Sequence, residues 1–135
     1  CTICHCPTSN RYLSSGVMPL MNYLEMDMKI ALGTDVAGGF SLSVINEMKE
    51  AIENTKIYNI FNNSEKVLKP QNSLYLATKA GATALENDKY ADFVVLKPNF
   101  QFNDLNSTEI LGKIIYSQNL FDINSVYIQG EKIIW

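Results

Sequence analysis

The sequence predicts an α/β fold in which parallel strand–helix units are followed by a smaller, mainly antiparallel part, and three observations predict it. The run Lys29-Ile-Ala-Leu-Gly-Thr-Asp35-Val-Ala-Gly-Gly-Phe-Ser41 takes an apolar strand into a single acid, then small residues, then a helix start. A carboxylate at the C-terminal end of a buried parallel strand occupies the place where α/β barrels gather their chemistry. Strand, helix, strand and helix follow one another before residue 57, the alternation that builds a parallel sheet or barrel. Finally, Val126-Tyr-Ile128 and Lys132-Ile-Ile-Trp135 flank Gln129-Gly130-Glu131, two short strands about a glycine turn. A length of 135 residues and an apolar fraction of 47% suit one domain with a buried core.

Taken in order, residues 1–6 alternate loosely and stop at Pro7, predicting a short strand and then a polar loop, Thr8-Ser9-Asn10-Arg11. Pro19 suits the first turn of a helix that carries Leu20, Met21, Leu24 and Met26 on its apolar face. Residues 28–32 are apolar except for Lys29, as in a strand covered on both sides. Gly38 and Gly39 break the chain, and Ser41 or Ser43 can cap the next helix. Its Leu42, Ile45, Met48 and Ile52 recur at helical spacing, with Glu47, Lys49, Glu50 and Glu53 on the outer face. After a polar stretch at 62–66 and Pro70-Gln-Asn-Ser73, residues Leu74, Leu76, Ala77, Ala80 and Ala84 predict a helix of about three turns. Gly81 within it implies close packing against a neighbour. The character changes after Asn87-Asp88. Residues 91–96 read as a strand ended by Pro98, and 107–117 as a helix through Ile110, Leu111, Ile114 and Ile115. With the terminal hairpin they form a second layer beginning near residue 85.

The formal net charge is −3 and the 11 Lys and Arg are scattered rather than striped, so neither a nucleic-acid nor an anionic-membrane partner is expected. No apolar run approaches the roughly 20 residues that cross a bilayer, and the chain reads as soluble and cytoplasmic. Because it starts at Cys1 within what reads as a strand, it is expected to be a fragment of a longer protein. Cys1 and Cys4 form a C-x-x-C, but in a β-like run ending at Pro7 rather than at a helix start, which disfavours a redox site. No second Cys or His pair follows to complete a structural zinc site, and the three cysteines read as buried or half-buried thiols. No G-x-S-x-G, P-loop or G-x-G-x-x-G is present, which disfavours serine hydrolases and the common nucleotide folds.

Asp35 has two readings. An acid just ahead of a helix is often a cap or turn former. Against this, Asp35 ends an apolar strand, Gly33, Gly38 and Gly39 allow backbone to approach a ligand closely, and Ser41 or Ser43 is available for capping. His5, the single histidine, reads as a hydrogen-bonded packing residue more readily than as a ligand. Ser9, Asn10 and Arg11 either line a pocket or satisfy loop backbone. One His and one Asp cannot by themselves complete a zinc shell.

His5-Cys-Pro-Thr-Ser-Asn10, Leu13-Ser-Ser-Gly16 and Ile30-Ala-Leu-Gly-Thr-Asp-Val-Ala-Gly-Gly39 with Ser41 and Ser43 resemble the C-terminal third of the guanine deaminase branch of the zinc amidohydrolases. H-C-P-x-S-N with G-T-D recurs in variants among deaminases and chlorohydrolases, and V-A-G-G followed by Ser-x-Ser is the narrower signal. Leu76-Ala-Thr-Lys-Ala-Gly81 is similar to the family's A-T-x-x-G-A helix, and Lys89-Tyr-Ala-Asp-Phe-Val-Val95 to its K-x-A-D-F-V-V strand. The connection between them, Leu85-Glu-Asn-Asp88, is shorter than the family's glycine-rich one.

This resemblance implies a C-terminal sector of a (β/α)₈ TIM-type barrel over residues 1–84, and over 85–135 part of a small β-sandwich built from both chain ends. It implies Zn²⁺ as cofactor, guanine as the purine substrate and a homodimer as the full-length assembly. Asp35 corresponds to the aspartate that binds zinc after the last barrel strand, contacts substrate and takes part in proton transfer. The family's H-x-H pair, its two further histidines and its glutamate lie upstream of Cys1, and His5 corresponds to none of them. The implied reaction is attack of zinc-activated hydroxide on the amino-bearing carbon of guanine, with release of ammonia and formation of xanthine. The 135 residues alone are then expected to be inactive and prone to aggregate through uncovered strand edges. The rival readings are another amidohydrolase of the same branch, acting on an adenosine derivative or a ring halide, and a non-catalytic α/β domain in which Asp35 is only a cap.

Overall fold

The computed structural model describes residues 1–101 and 104–133. In chain order the elements are β1 (Ile3–His5), α1 (Pro7–Tyr12), α2 (Leu20–Glu25), β2 (Ile30–Leu32), α3 (Val44–Asn62), α4 (Pro70–Ala77) and α5 (Lys79–Ala84). They continue with β3 (Phe93–Pro98), α6 (Ser107–Tyr116), a 3₁₀ turn (Gln118–Leu120), β4 (Phe121–Ile128) and β5 (Glu131–Ile133). The α/β class is as expected. β1 and β2 lie parallel, with Ile3 opposite Ile30 and His5 opposite Leu32. β3, β4 and β5 form a separate antiparallel sheet, with a register shift between Val95 and Leu96. Among the described residues, no helix is long and apolar enough to cross a membrane.

The core lies between the parallel pair and the helices. Leu20, Ile30, Leu32, Met48, Ala51, Ile52, Leu68, Leu76 and Ile115 form one buried cluster, joining α2, β2, α3, α4 and α6. Removing each large aliphatic side chain from water is worth about 1.5–3 kcal/mol, so this cluster dominates the stabilisation of the parallel layer. Ile115, 0% exposed, is the one residue of α6 buried within it and ties that helix to α3 and α4. An Asn106 capping box starts α6: the side chain accepts from Thr108 and Glu109, and Glu109 returns a bond to the Asn106 amide. The hairpin turn places both Gln129 and Gly130 in the left-handed region, the geometry that two-residue connections require.

Several expectations are revised. Thr8 to Arg11 are helical, not a loop: Pro7 sits at the first helical position, where its missing N–H costs nothing. Leu42 precedes α3 and is exposed, while Glu47 faces inward and is fully buried, not on the outer face. Ser43 caps α3 by accepting from the Asn46 amide, and Ser41 accepts from the Ser43 amide. The helix expected after Ser73 starts earlier, at Pro70, and breaks at Thr78 (φ −126°, ψ −86°), whose hydroxyl turns back to the Leu74 carbonyl. A Cβ built on Gly81 would meet nothing within 4 Å, so close packing among the described residues does not explain that glycine. β2 is shorter than residues 28–32: the Met28 amide turns back to the Tyr23 carbonyl, and Met28 is exposed. β3 begins only at Phe93, since Ala91 and Asp92 instead receive the Gly130 and Gln129 amides of the hairpin turn. Ile134 and Trp135, expected in the last strand, lie outside the described residues.

Ile115→Ala is expected to destabilise the complete protein by about 2–5 kcal/mol. Denaturant unfolding of this variant beside its parent checks the assignment of the core.

Candidate active site

The polar cluster of interest forms where β1 and β2 end. Gly33 and Thr34 carry the chain from β2 to Asp35, which adopts a left-handed backbone (φ +46°) that Asp tolerates better than most residues. Its carbonyl accepts from the Gly38 amide at 2.9 Å and from the Gly39 amide at 2.7 Å, closing a tight loop through Ala37 (φ +83°). The Asp35 side chain is not the cap of α3. It accepts instead from the Ser9 hydroxyl, Oγ to Oδ2, at 2.6 Å, within the range of a charge-assisted bond. Its other oxygen, Oδ1, has no hydrogen-bond partner among the described residues, and Asp35 is exposed.

The two glycines of the loop are needed for close approach. A Cβ on Gly38 would lie 2.6 Å from Asp35 Oδ2 and 3.0 Å from Ser9 Oγ, and one on Gly39 would lie 2.5 Å from the Thr34 carbonyl oxygen and 2.9 Å from Thr8 Oγ1. Backbone therefore lies directly on the Ser9–Asp35 pair. Beneath it, Glu47 reaches from the first turn of α3 to the first turn of α1, accepting the Thr8 amide at 3.1 Å (Oε2) and the Thr8 hydroxyl at 2.7 Å (Oε1). Arg11 pairs with Glu50 and joins the same two helices farther out. Thr8 and Glu47 were not among the residues singled out from sequence. The available signal was weak, an acid in the first turn after the Ser43 cap.

His5 and the cysteines divide between the two faces of β1. Ile3 packs against the core, so the alternation of a strand puts buried His5 on that covered face and Cys4 and Cys6 on the other. Neither His5 ring nitrogen has a hydrogen-bond partner among the described residues, and burial lowers its pKa to about 4, leaving it neutral. It is buried as a packing residue would be, but without the hydrogen bond expected of one. The cysteines are free thiols. Cys4 and Cys6 lie 3.7 Å apart at sulfur, and burial and the neighbouring Cys4 push the Cys6 thiol up to about 12. A thiol so resistant to ionisation is a poor nucleophile. A broad cleft lined by Thr2, Cys4, Lys29, Leu32, Tyr75 and Leu85 runs along the strands and does not include Asp35.

Among the described residues, no three His, Cys, Asp or Glu side chains converge as a metal site. Asp35, with one oxygen engaged and one open, fits a single corner of a zinc shell rather than the whole of it.

Residues 1–133 match the Amidohydrolase family. The chain belongs to that family. Among curated relatives it is similar to the guanine deaminase of Homo sapiens, 31% identical over 98% of this chain and 34% of that protein. Among solved structures it is similar to a guanine deaminase from C. acetobutylicum with guanine bound in the active site, with a TM-score of 0.84, 31% identity, and 98% of this chain covering 34% of that one. It shares its fold with an adenosine deaminase from Xanthomonas campestris that holds zinc, at TM-score 0.74, 24% identity, and coverage of 97% and 31%. This amidohydrolase chain thus spans about a third of the length of the relatives it matches.

Because His5 titrates at about 4 when folded and near 6.5 when unfolded, the unfolded chain takes up the proton first as pH falls. The contribution of His5 to stability is therefore complete above about pH 6.5 and is lost between there and about pH 4. His5→Leu is expected to flatten the dependence of unfolding free energy on pH across that window, measured by denaturant titrations at several pH values.

Proposed function

We propose that these residues form the Asp35-bearing sector of a zinc-dependent guanine deaminase, which converts guanine and water to xanthine and ammonia. In this reading residues 1–84 are the C-terminal sector of a (β/α)₈ barrel, and 85–135 are part of a composite β-sandwich. The working protein is a cytoplasmic homodimer. The observation that carries the proposal is the Asp35 carboxylate at the C-terminal end of a parallel strand, held by Ser9 through one oxygen and open at the other. Support comes from the similarity to guanine deaminases over 98% of the chain, and from exposed Leu42, Phe61 and Leu85, apolar surface suited to cover by further structure.

Asp35 would serve as one zinc ligand through Oδ1, with the remaining ligands supplied from outside these residues. Bound zinc supplies a hydroxide at neutral pH by lowering the pKa of its water to about 7. The chain's own contribution is orientation and proton handling. Ser9 donates to Oδ2 and keeps the carboxylate in one rotamer, and when a proton arrives on Oδ2 the Ser9 hydroxyl can turn to accept from it. Gly38 and Gly39 let the loop backbone approach this pair closely. Guanine would lie against the open Oδ1 side.

The complete protein carrying these residues is expected to release ammonia from guanine, to lose that activity to a chelator, and to fall by about 10²-fold or more on Asp35→Asn. The 135 residues alone are expected to be inactive. Turnover indifferent to chelation would contradict the proposal, and a preference for an adenosine derivative or a triazine over guanine would replace it with another activity of the family.

A further inference from the structure

The geometry points to Glu47 as a positioning residue for Asp35. This rests on the reading of Asp35 as a catalytic ligand and extends it to a residue that touches neither substrate nor metal. The six-residue helix α1 has no side-chain cap of its own: Cys6, at the cap position, makes no such bond. The acceptor for its first turn arrives instead from α3. Glu47 is 0% exposed, and its two carboxylate oxygens take separate protons from one residue, the amide and the hydroxyl of Thr8, which is also 0% exposed. Both bonds turn Thr8 in one direction.

Two consequences reach Asp35 from that fixed residue. Ser9 follows Thr8 on the same turn of helix, so anchoring Thr8 sets where the Ser9 hydroxyl points, and that hydroxyl is the donor to Asp35 Oδ2 at 2.6 Å. On the other side, Gly39 lies so close to Thr8 Oγ1 that a Cβ there would come within 2.9 Å, so the loop that closes on the Asp35 carbonyl rests on the same threonine. Side chain and backbone of Asp35 are thus both referred to Thr8, and Thr8 to Glu47. Hydrogen-bond partners of a metal-binding carboxylate typically change metal affinity or turnover by about 10–100-fold when lost, and Glu47 acts one step behind such a partner.

The test uses the complete protein and measures kcat and KM for guanine, together with thermal stability, for Glu47→Ala, Glu47→Gln, Ser9→Ala, Thr8→Val, Asp35→Asn and the Glu47→Ala/Ser9→Ala pair. Glu47→Ala is expected to lower kcat by about 10–100-fold with KM changed less than about threefold. Glu47→Gln, which keeps an acceptor for the Thr8 amide and an amide group that the Thr8 hydroxyl can turn to accept from, is expected to recover most of that loss. The Glu47→Ala/Ser9→Ala pair is expected to be little worse than the poorer single variant, because the bond lost in Ser9→Ala is among those already disturbed in Glu47→Ala. If Glu47→Ala does not fold, Thr8→Val is expected to show the same fall in kcat and the same failure of additivity with Ser9→Ala. Fully additive losses, or a fall in thermal stability with kcat unchanged, would overturn the positioning role while Asp35→Asn remains inactive. An active Asp35→Asn variant would instead overturn the underlying reading of Asp35.

Discussion

The seating of the first turn of α1 on Glu47 is the constraint from which the rest of the site is measured. A carboxylate without water must have its oxygens satisfied, and the cost of leaving one unpaired is several kcal/mol. Glu47 meets that requirement through a single residue, Thr8. Because one amide and one hydroxyl on the same residue are used, neither α1 nor α3 can slide without breaking both bonds. The Arg11–Glu50 pair adds a partly exposed contact between the same helices, of the kind that contributes little alone.

Magnitudes show why the Asp35 loop needs this support. Non-glycine residues in sparsely populated backbone regions cost of order 1–3 kcal/mol each, and Ala37 at φ +83° has no side-chain group with which to offset it. The Ser9–Asp35 bond is charge-assisted but lies at an exposed acid, so its contribution is discounted by solvent. What holds the loop is the set: two amides on the Asp35 carbonyl, one hydroxyl on its carboxylate, and glycine backbone resting on Thr8 and Ser9. Such a loop leaves one carboxylate oxygen without a hydrogen-bond partner, as the proposed metal-binding role requires.

Much of the layout was legible from residue pattern. The apolar runs located the parallel strands, Pro19 and Ser43 located helix starts, and the hairpin followed from Gln129-Gly130. Asp35 stood out because it ends an apolar strand among Gly33, Gly38 and Gly39, with Ser41 or Ser43 available for capping instead. Two of the failures share one cause, long-range satisfaction of polar groups. Thr8 to Arg11 read as a loop because nothing local caps a helix there, and the acceptor lies 39 residues away on Glu47. Glu47 read as solvent-facing because charge normally is, yet the buried stripe of α3 also contains Asn54 and Thr55, whose hydroxyl accepts from the Leu68 amide. Periodicity reports which face is apolar; it does not report which polar side chains a distant backbone will pair. The break at Thr78 and the open surroundings of Gly81 are of another kind: the Thr78 hydroxyl turns back to the Leu74 carbonyl four residues away, and a Cβ on Gly81 would meet nothing within 4 Å.

The proposed zinc chemistry and the geometry at Asp35 meet at one atom, Oδ1. Diffraction from crystals of the complete protein, collected on either side of the zinc absorption edge, tests that meeting most directly. The account expects a zinc peak about 2.0–2.2 Å from an Asp35 carboxylate oxygen, with Ser9 still bonded to the other. A fully occupied zinc site whose ligands do not include Asp35 would contradict it.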